Sequence, residues 1–258
     1  MSGCPARLPA RLPVPDGTAD RAARLIAETI RARVRVAGRA AVALCGGRSP
    51  QAIFRRLARA PHRRRIPWDR VHWFWVDERC VPASHPHSNF GLANRLLFSR
   101  VPAPAGHLHR VPTELVDPSR IASAYEAQLR AWFRTPRGRP PVFDLILLGV
   151  GADGHVASLF PGSAALRECW RLVVPSRGGR PPMNRVTVTL PVLNAARAVL
   201  ILAAGAVKRG VVRRMAGAQT PADRLPVHLI QPSTGRVTWL VNCTASSGGA
   251  AAGGVGVG

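Results

Sequence analysis

Two hydrophobic patterns alternate along the chain: short runs of contiguous apolar residues, and longer stretches in which apolar side chains recur every three or four positions. An uninterrupted run of this length predicts a strand buried on both faces, and the second pattern predicts a helix with one face against a core. Asp16 to Val36 reads as an amphipathic helix, with Leu25, Ile26 and Ile30 on one side and arginines on the other. A strand at Ala40–Leu44 follows, then Cys45-Gly46-Gly47-Arg48-Ser49-Pro50 and a helix from Gln51 to Ala60. The order repeats with an aromatic-rich strand at Val71–Val76 ending in Asp77-Glu78-Arg79, a loop, and a helix at Asn89–Phe98. A strand at His107–Val111, a helix around Ser119–Phe133 and a strand at Phe143–Leu148 come next. Later strands are predicted at Leu172–Val174, Arg185–Leu190, Ala198–Ala203, Val227–Ile230 and Val237–Val241, with a helix near Ala206–Met215. Strands alternating with helices predict an α/β fold, a mainly parallel sheet with helices on both faces, whose ligands collect at the carboxyl ends of the strands.

Composition narrows the class. The chain has 258 residues, 47% of them hydrophobic, enough for one large globular domain, which we place at residues 16–244 between a flexible 1–15 and a disordered Gly/Ala tail at 245–258. The net charge of +24 would ordinarily point to a polyanionic partner. Its form argues against nucleic acid: 36 arginines are spread over almost every segment, Lys208 is the one lysine, and no aromatic residues alternate with them as a stacking platform. The densest cluster, Arg63-Arg64-Arg65, is placed in a loop. Five cysteines, widely spaced and without a CxxC pair, fit a reducing compartment. With no apolar leader and no run long enough for a membrane helix, the expectation is a soluble cytoplasmic protein.

The chemistry concentrates between Phe143 and Gly162. The apolar run Leu145–Leu148 has the length of a central parallel strand, and Gly149, Gly151 and Gly154 let the backbone approach a ligand before the turn ends on His155. Histidine is the side chain whose charge changes nearest neutral pH, and a helix starting after the turn would aim backbone N–H groups at an anion. The plainer reading is a strand-to-helix connection with a satisfied histidine.

Three segments taken together favour the active-site reading: Leu44-Cys45-Gly46-Gly47-Arg48-Ser49-Pro50; Trp75-Val76-Asp77-Glu78-Arg79-Cys80-Val81-Pro82 with Ser88-Asn89; and Leu148 to Gly162. They resemble the 6-phosphogluconolactonase family, and Asn184-Arg185-Val186-Thr187 and Gly205-Ala206-Val207-Lys208 fall where that family carries later elements, so the resemblance spans residues 20 to 242. It implies a Rossmann-like three-layer fold and hydrolysis of 6-phosphoglucono-δ-lactone in the oxidative pentose phosphate pathway, with neither metal nor organic cofactor. Separately from the resemblance, a monomer or homodimer is expected. A lactone is an activated ester, so its hydrolysis needs a water, a base and positive charge where the carbonyl oxygen becomes an oxyanion. His155 is the natural base, with Asp77 and Arg79 beside it in the catalytic set. Gly46, Gly47, Arg48, Arg185 and Lys208, with Gly151, Asp153 and Gly154, are expected to hold the substrate and its phosphate.

Alternatives stay open at single positions. Asp77 orients Arg79 or a sugar hydroxyl rather than moving a proton; Glu78 is a candidate ion-pair partner; Arg185 either binds phosphate or caps the sheet; Lys208 binds substrate or sits solvated on a helix. His85 and His87 have metal-like spacing but no accompanying acid or cysteine set, and His107 and His109 read as ordinary residues of a short strand. Ser158 lacks the elbow of a serine hydrolase and is not cast as a nucleophile. The chain departs from the family pattern at Cys45, His87, Val156 and Asn242. Two rivals remain: a glucosamine-6-phosphate deaminase-like enzyme, opposed by Asp77-Glu78-Arg79 and Ser158-Leu159-Phe160-Pro161-Gly162, and a non-catalytic sugar-phosphate or nucleic-acid binder.

Overall fold

A computed structural model describes residues 17–179, 182–204, 210, 211, 214 and 225–242. Lys208, most of the helix expected near Ala206–Met215 and both terminal segments lie outside the described residues. The opening helix α1 (Thr18–Ala37) turns Ala22, Ala23, Ile26, Ala27 and Ile30 inward and stops at Gly38, whose positive φ of 71° lets its N–H return to the Val34 carbonyl. Strand β1 (Ala40–Leu44) is buried at every position, as its unbroken apolar run requires. Helix α2 (Ser49–Leu57) follows the glycine pair and packs on α1. The arginine cluster forms a one-turn helix α3 (His62–Arg65) rather than the predicted loop.

Strand β2 (Val71–Trp75) is followed at once by β3 (Asp77–Arg79) in a different sheet. Val76 is the hinge: its N–H donates to the Leu44 carbonyl in one sheet, and its own carbonyl accepts from Val188 of the other. The chain continues through α4 (Asn89–Leu96), β4 (Leu108–His109), α5 (Pro118–Phe133), β5 (Leu145–Gly149), β6 (Val173–Gly178), β7 (Met183–Val188), α6 (Leu190–Asn194), β8 (Ala198–Ala204) and β9 (Arg236–Asn242). Six strands form a parallel sheet in the order β4-β2-β1-β5-β8-β9, and β3, β7 and β6 form a small antiparallel sheet in the order β3-β7-β6. The parallel α/β core agrees with the expectation; the second sheet was not foreseen.

Three local differences have physical causes. Val227–Ile230, read as a strand, instead overlaps a 3₁₀ turn at Pro226–Leu229 that ends at Ile230; there the Leu225 N–H donates to His228 Nδ1 and Pro226 removes a ladder donor. No helix starts directly from the glycine turn after β5; the next is a one-turn 3₁₀ segment at Ala164–Arg167. Val150, Val156 and Leu159 make isolated antiparallel bridges, which fold residues 150–159 into a compact double turn. The short edge strand β4 is half-buried, and His109 stacks on Phe74 of β2 while His72 stacks on His107. His107 and His109 therefore belong to an aromatic cluster with Trp132 rather than to a plain strand face.

Candidate active site

The carboxyl ends of β1 and β5 meet the small sheet in a cleft of about 120 Å³. Gly46, Gly47 and Arg48 come from the loop after β1, Gly151 and His155 from the turn after β5, and Asp77, Arg79 and Arg185 from the small sheet. Eight of the predicted site residues thus share one cleft. Asp153 stands behind His155, and Gly154 turns the chain with a φ of 83° against Leu225.

His155 Nδ1 lies 2.6 Å from Asp153 Oδ1, and the same carboxylate oxygen accepts the His155 backbone N–H at 3.2 Å. Partial burial pushes the Asp153 carboxyl up, but the hydrogen bonds and charge of His155 outweigh it and hold the carboxyl below its ordinary pKa. An ionised Asp153 fixes the proton of a neutral imidazole on Nδ1, which leaves the lone pair on Nε2 free to accept another. Gly151 is what lets this pair exist: a Cβ there would overlap both the imidazole and the Asp153 carboxylate. Phe160 lies against the other side of the imidazole, ring centroids 4.6 Å apart. Ala157, on the cleft wall, holds a φ of 49° that favours glycine.

Across the cleft, strand alternation decides which side chains meet. Asp77 and Arg79 point to one face of β3, Glu78 to the other. The antiparallel register sets Arg79 directly opposite Arg185, and Asp77 opposite Thr187. Two guanidinium groups facing each other across a ladder repel, and the Arg185 pKa is lowered, first by burial and then by the Arg79 charge, against the pull of Asp77 and Glu78. Arg185 is 7% exposed; its Nε donates to the Gly178 carbonyl at 3.1 Å, and Nη1 lies 3.5 Å from Ser158 Oγ and 3.8 Å from Asp77 Oδ2. Asp77 Oδ2 also accepts from Ser158 Oγ at 2.7 Å, and Oδ1 from the Asn89 amide at 3.1 Å.

These contacts correct two readings and decide between the alternatives at Arg185. Asp77 orients Arg185, Ser158 and Asn89, whereas Arg79 is anchored elsewhere, its Nη1 donating to the His87 carbonyl at 2.7 Å. Glu78 forms no ion pair among the described residues. It is 2% exposed and takes the Arg79 and Asn89 N–H groups on Oε1 and the Phe90 N–H and Ser88 hydroxyl on Oε2, so it ties β3 to the start of α4. Burial pushes its pKa up to about 7, against those backbone donors. Arg185 lies within β7 facing the cleft rather than capping a sheet.

The residue reasoning undervalued most is Asn89. It lines the cleft, 1% exposed, donates to the Asp77 carbonyl at 2.9 Å, and occupies the volume a Cβ on Gly46 would need. Its Oδ1 and the Nε of Arg79 are buried without hydrogen-bond partners. The Ser88-Asn89 motif was visible in the sequence, but its role depends on a fold-back across 12 residues. Ser158 is fully buried in the Asp77–Arg185 network, which agrees with denying it a nucleophile's role. His85 Nδ1 accepts the His87 N–H at 3.1 Å, and among the described residues no group of three or more His, Cys, Asp or Glu side chains is arranged to hold a metal ion.

Known proteins share this arrangement of chain and fold. Residues 13–239 match the family model described as glucosamine-6-phosphate isomerases/6-phosphogluconolactonase. A protein of Synechocystis named 6-phosphogluconolactonase is 39% identical over 206 residues, covering 80% of this chain and 82% of its own. The crystal structure of 6-phosphogluconolactonase from Thermotoga maritima is 32% identical with a TM-score of 0.75, over 89% of this chain and 97% of that one. The Trypanosoma brucei 6-phosphogluconolactonase structure is 30% identical with a TM-score of 0.78, over 89% and 93%. With the family model spanning most of its length, the chain belongs to the glucosamine-6-phosphate isomerase/6-phosphogluconolactonase family.

Proposed function

We propose that this protein hydrolyses 6-phospho-D-glucono-1,5-lactone to 6-phospho-D-gluconate in the oxidative pentose phosphate pathway. The observation that carries the reading is the pairing of an Asp153-held imidazole with two opposed guanidiniums, Arg79 and Arg185, in one cleft. Opposed cations are relieved by an anion between them, and a phosphorylated lactone brings a dianion at one end and a carbonyl that becomes an oxyanion at the other. The unpartnered Asn89 Oδ1 and Arg79 Nε suit a substrate rich in hydroxyl and phosphate oxygens. Relatives and solved structures named 6-phosphogluconolactonase support the same substrate.

In this mechanism His155 Nε2 takes a proton from water as the water oxygen bonds to C1 of the lactone. Asp153 steadies the resulting imidazolium. The tetrahedral oxyanion collapses, the bond from C1 to the ring oxygen breaks, and the ring oxygen receives the proton back from His155 as it becomes the 5-hydroxyl. Arg79 and Arg185, with the loop amides after β1, hold the phosphate and the developing charge; Gly154 shapes the turn that presents His155. Nucleic acid has no part in this reaction. No described helix is long and apolar enough to cross a membrane, and Cys45, Cys80 and Cys169 form no disulfide among the described residues, which is compatible with a reducing cytoplasm.

The decisive assay generates the lactone with glucose-6-phosphate dehydrogenase and follows its loss above the spontaneous rate. His155→Asn is expected to lower kcat by about 10²- to 10⁴-fold with unchanged far-ultraviolet circular dichroism. Wild-type turnover in that variant would remove His155 from the base's role, and no turnover by the parent protein would remove the lactonase reading.

A further inference from the structure

A second cavity lies outside the active-site cleft. It has a volume of about 470 Å³, opens at the start of α1, and shares none of its described lining residues with the cleft. That volume falls in the range of small-molecule sites rather than of a flat electrostatic surface. Arg21 and Arg24 of α1 and Arg65 of α3 line it, and none of the three makes an ion pair among the described residues. The one carboxylate in the described lining, Asp20, is taken by Arg56 at 3.2 Å.

Two independent features add to this positive charge. The first is the end of α1 itself: the positive dipole end of a 20-residue helix whose N-cap, Gly17, makes no side-chain cap hydrogen bond. The second is His62, which lines the cavity, is 8% exposed and has an Nδ1 without a hydrogen-bond partner. Its pKa is lowered, first by burial and then by Arg65, with Arg24 and Arg56 acting in the same direction against Asp20. A buried neutral imidazole among uncompensated guanidiniums is a donor set for an oxyanion.

We propose that this cavity is a second ligand site, separate from the catalytic cleft, for a small molecule carrying a diphosphate group. One phosphate would meet the N–H groups at the start of α1 with Arg21 and Arg24, and the other Arg65 and His62. The concave shape selects a small ligand over nucleic acid, although the net charge of +24 attracts both. The inference is independent of the lactonase reading.

Isothermal titration calorimetry at physiological salt tests it with two probes, ADP and inorganic pyrophosphate. Saturable binding of at least one probe is expected to survive Arg79→Ala and to weaken by about tenfold or more in Arg24→Ala/Arg65→Ala, two exposed positions. The double variant should keep parental lactone turnover, and the His62 ring resonances should shift on saturation of the parent protein. Binding of both probes identifies the diphosphate as the recognised element, and binding of ADP alone identifies a nucleotide. Absence of saturable binding, an unchanged affinity in the double variant, loss of binding in Arg79→Ala, or equal displacement of ADP by a short DNA duplex would each overturn the proposal.

Discussion

At the scale of single residues, the site depends as much on side chains that are missing as on those present. Gly151 leaves room for the His155 imidazole and the Asp153 carboxylate, so Gly151→Ala forces one of them aside. We expect kcat to fall by about 10²-fold, because misplacing a base by an ångström costs that much. KM for the lactone should change little, since the arginines on the opposite wall are untouched; a parental kcat would show that the pair tolerates the displacement. Lys208 carries a different argument, from scarcity. In a chain with 36 arginines, a lone lysine at a motif position makes a need for a compact ammonium there the expectation to test. Lys208→Arg is expected to raise KM for the phosphorylated lactone, and parental constants would reduce the requirement at that position to charge alone.

At the scale of elements, the three-residue strand β3 organises the cleft because its alternation sends successive side chains to different tasks. Asp77 and Arg79 face the cleft, while Glu78 faces α4 and accepts four donors. Replacing it with an apolar residue of similar size leaves the Asn89 and Phe90 N–H groups and the Ser88 hydroxyl buried without their acceptor. Each orphaned group costs about 1–3 kcal/mol, though such costs do not add in full. Glu78→Leu should therefore lower the melting temperature by at least several degrees, at about 2–4 °C per kcal/mol for a chain of this size. It should also raise KM, as Asn89 and Arg79 lose their common anchor. A thermal scan coinciding with that of the parent protein would mean that other contacts hold α4 to β3.

At the scale of the whole molecule, acid sensitivity follows from an aromatic edge far from the cleft. His72 and His109 both have pKa values lowered to about 4, each chiefly by burial and then by neighbouring histidine charge, with no carboxylate among the causes. The unfolded chain, where each returns to 6.5, therefore binds more protons between about pH 6.5 and 4, and stability falls as pH falls through that window. Glu78 opposes this, its pKa being raised, but it is one group against two. Melting temperature should drop from pH 7 to pH 4.5, and His72→Phe/His109→Phe should flatten the decline; an unchanged slope would assign the acid loss elsewhere. Much of this architecture was already legible in the pattern of apolar runs, because a strand buried on both faces must be apolar throughout: β1, β5, β8 and β9 appear at nearly their observed bounds. The glycine turn and His155 were legible too, since local chemistry announces itself in local sequence. Pairing is not local. Asp77–Arg79 is too short and polar to carry a hydrophobic period, and only the antiparallel register with β7 brings Arg185 across to Arg79 and turns Glu78 from a supposed ion-pair partner into a helix anchor. The sequence by itself determined the parallel core and the glycine turn that carries His155; the tertiary structure decided which charges face one another, because periodicity reports the faces of an element and not the partner against which they fold.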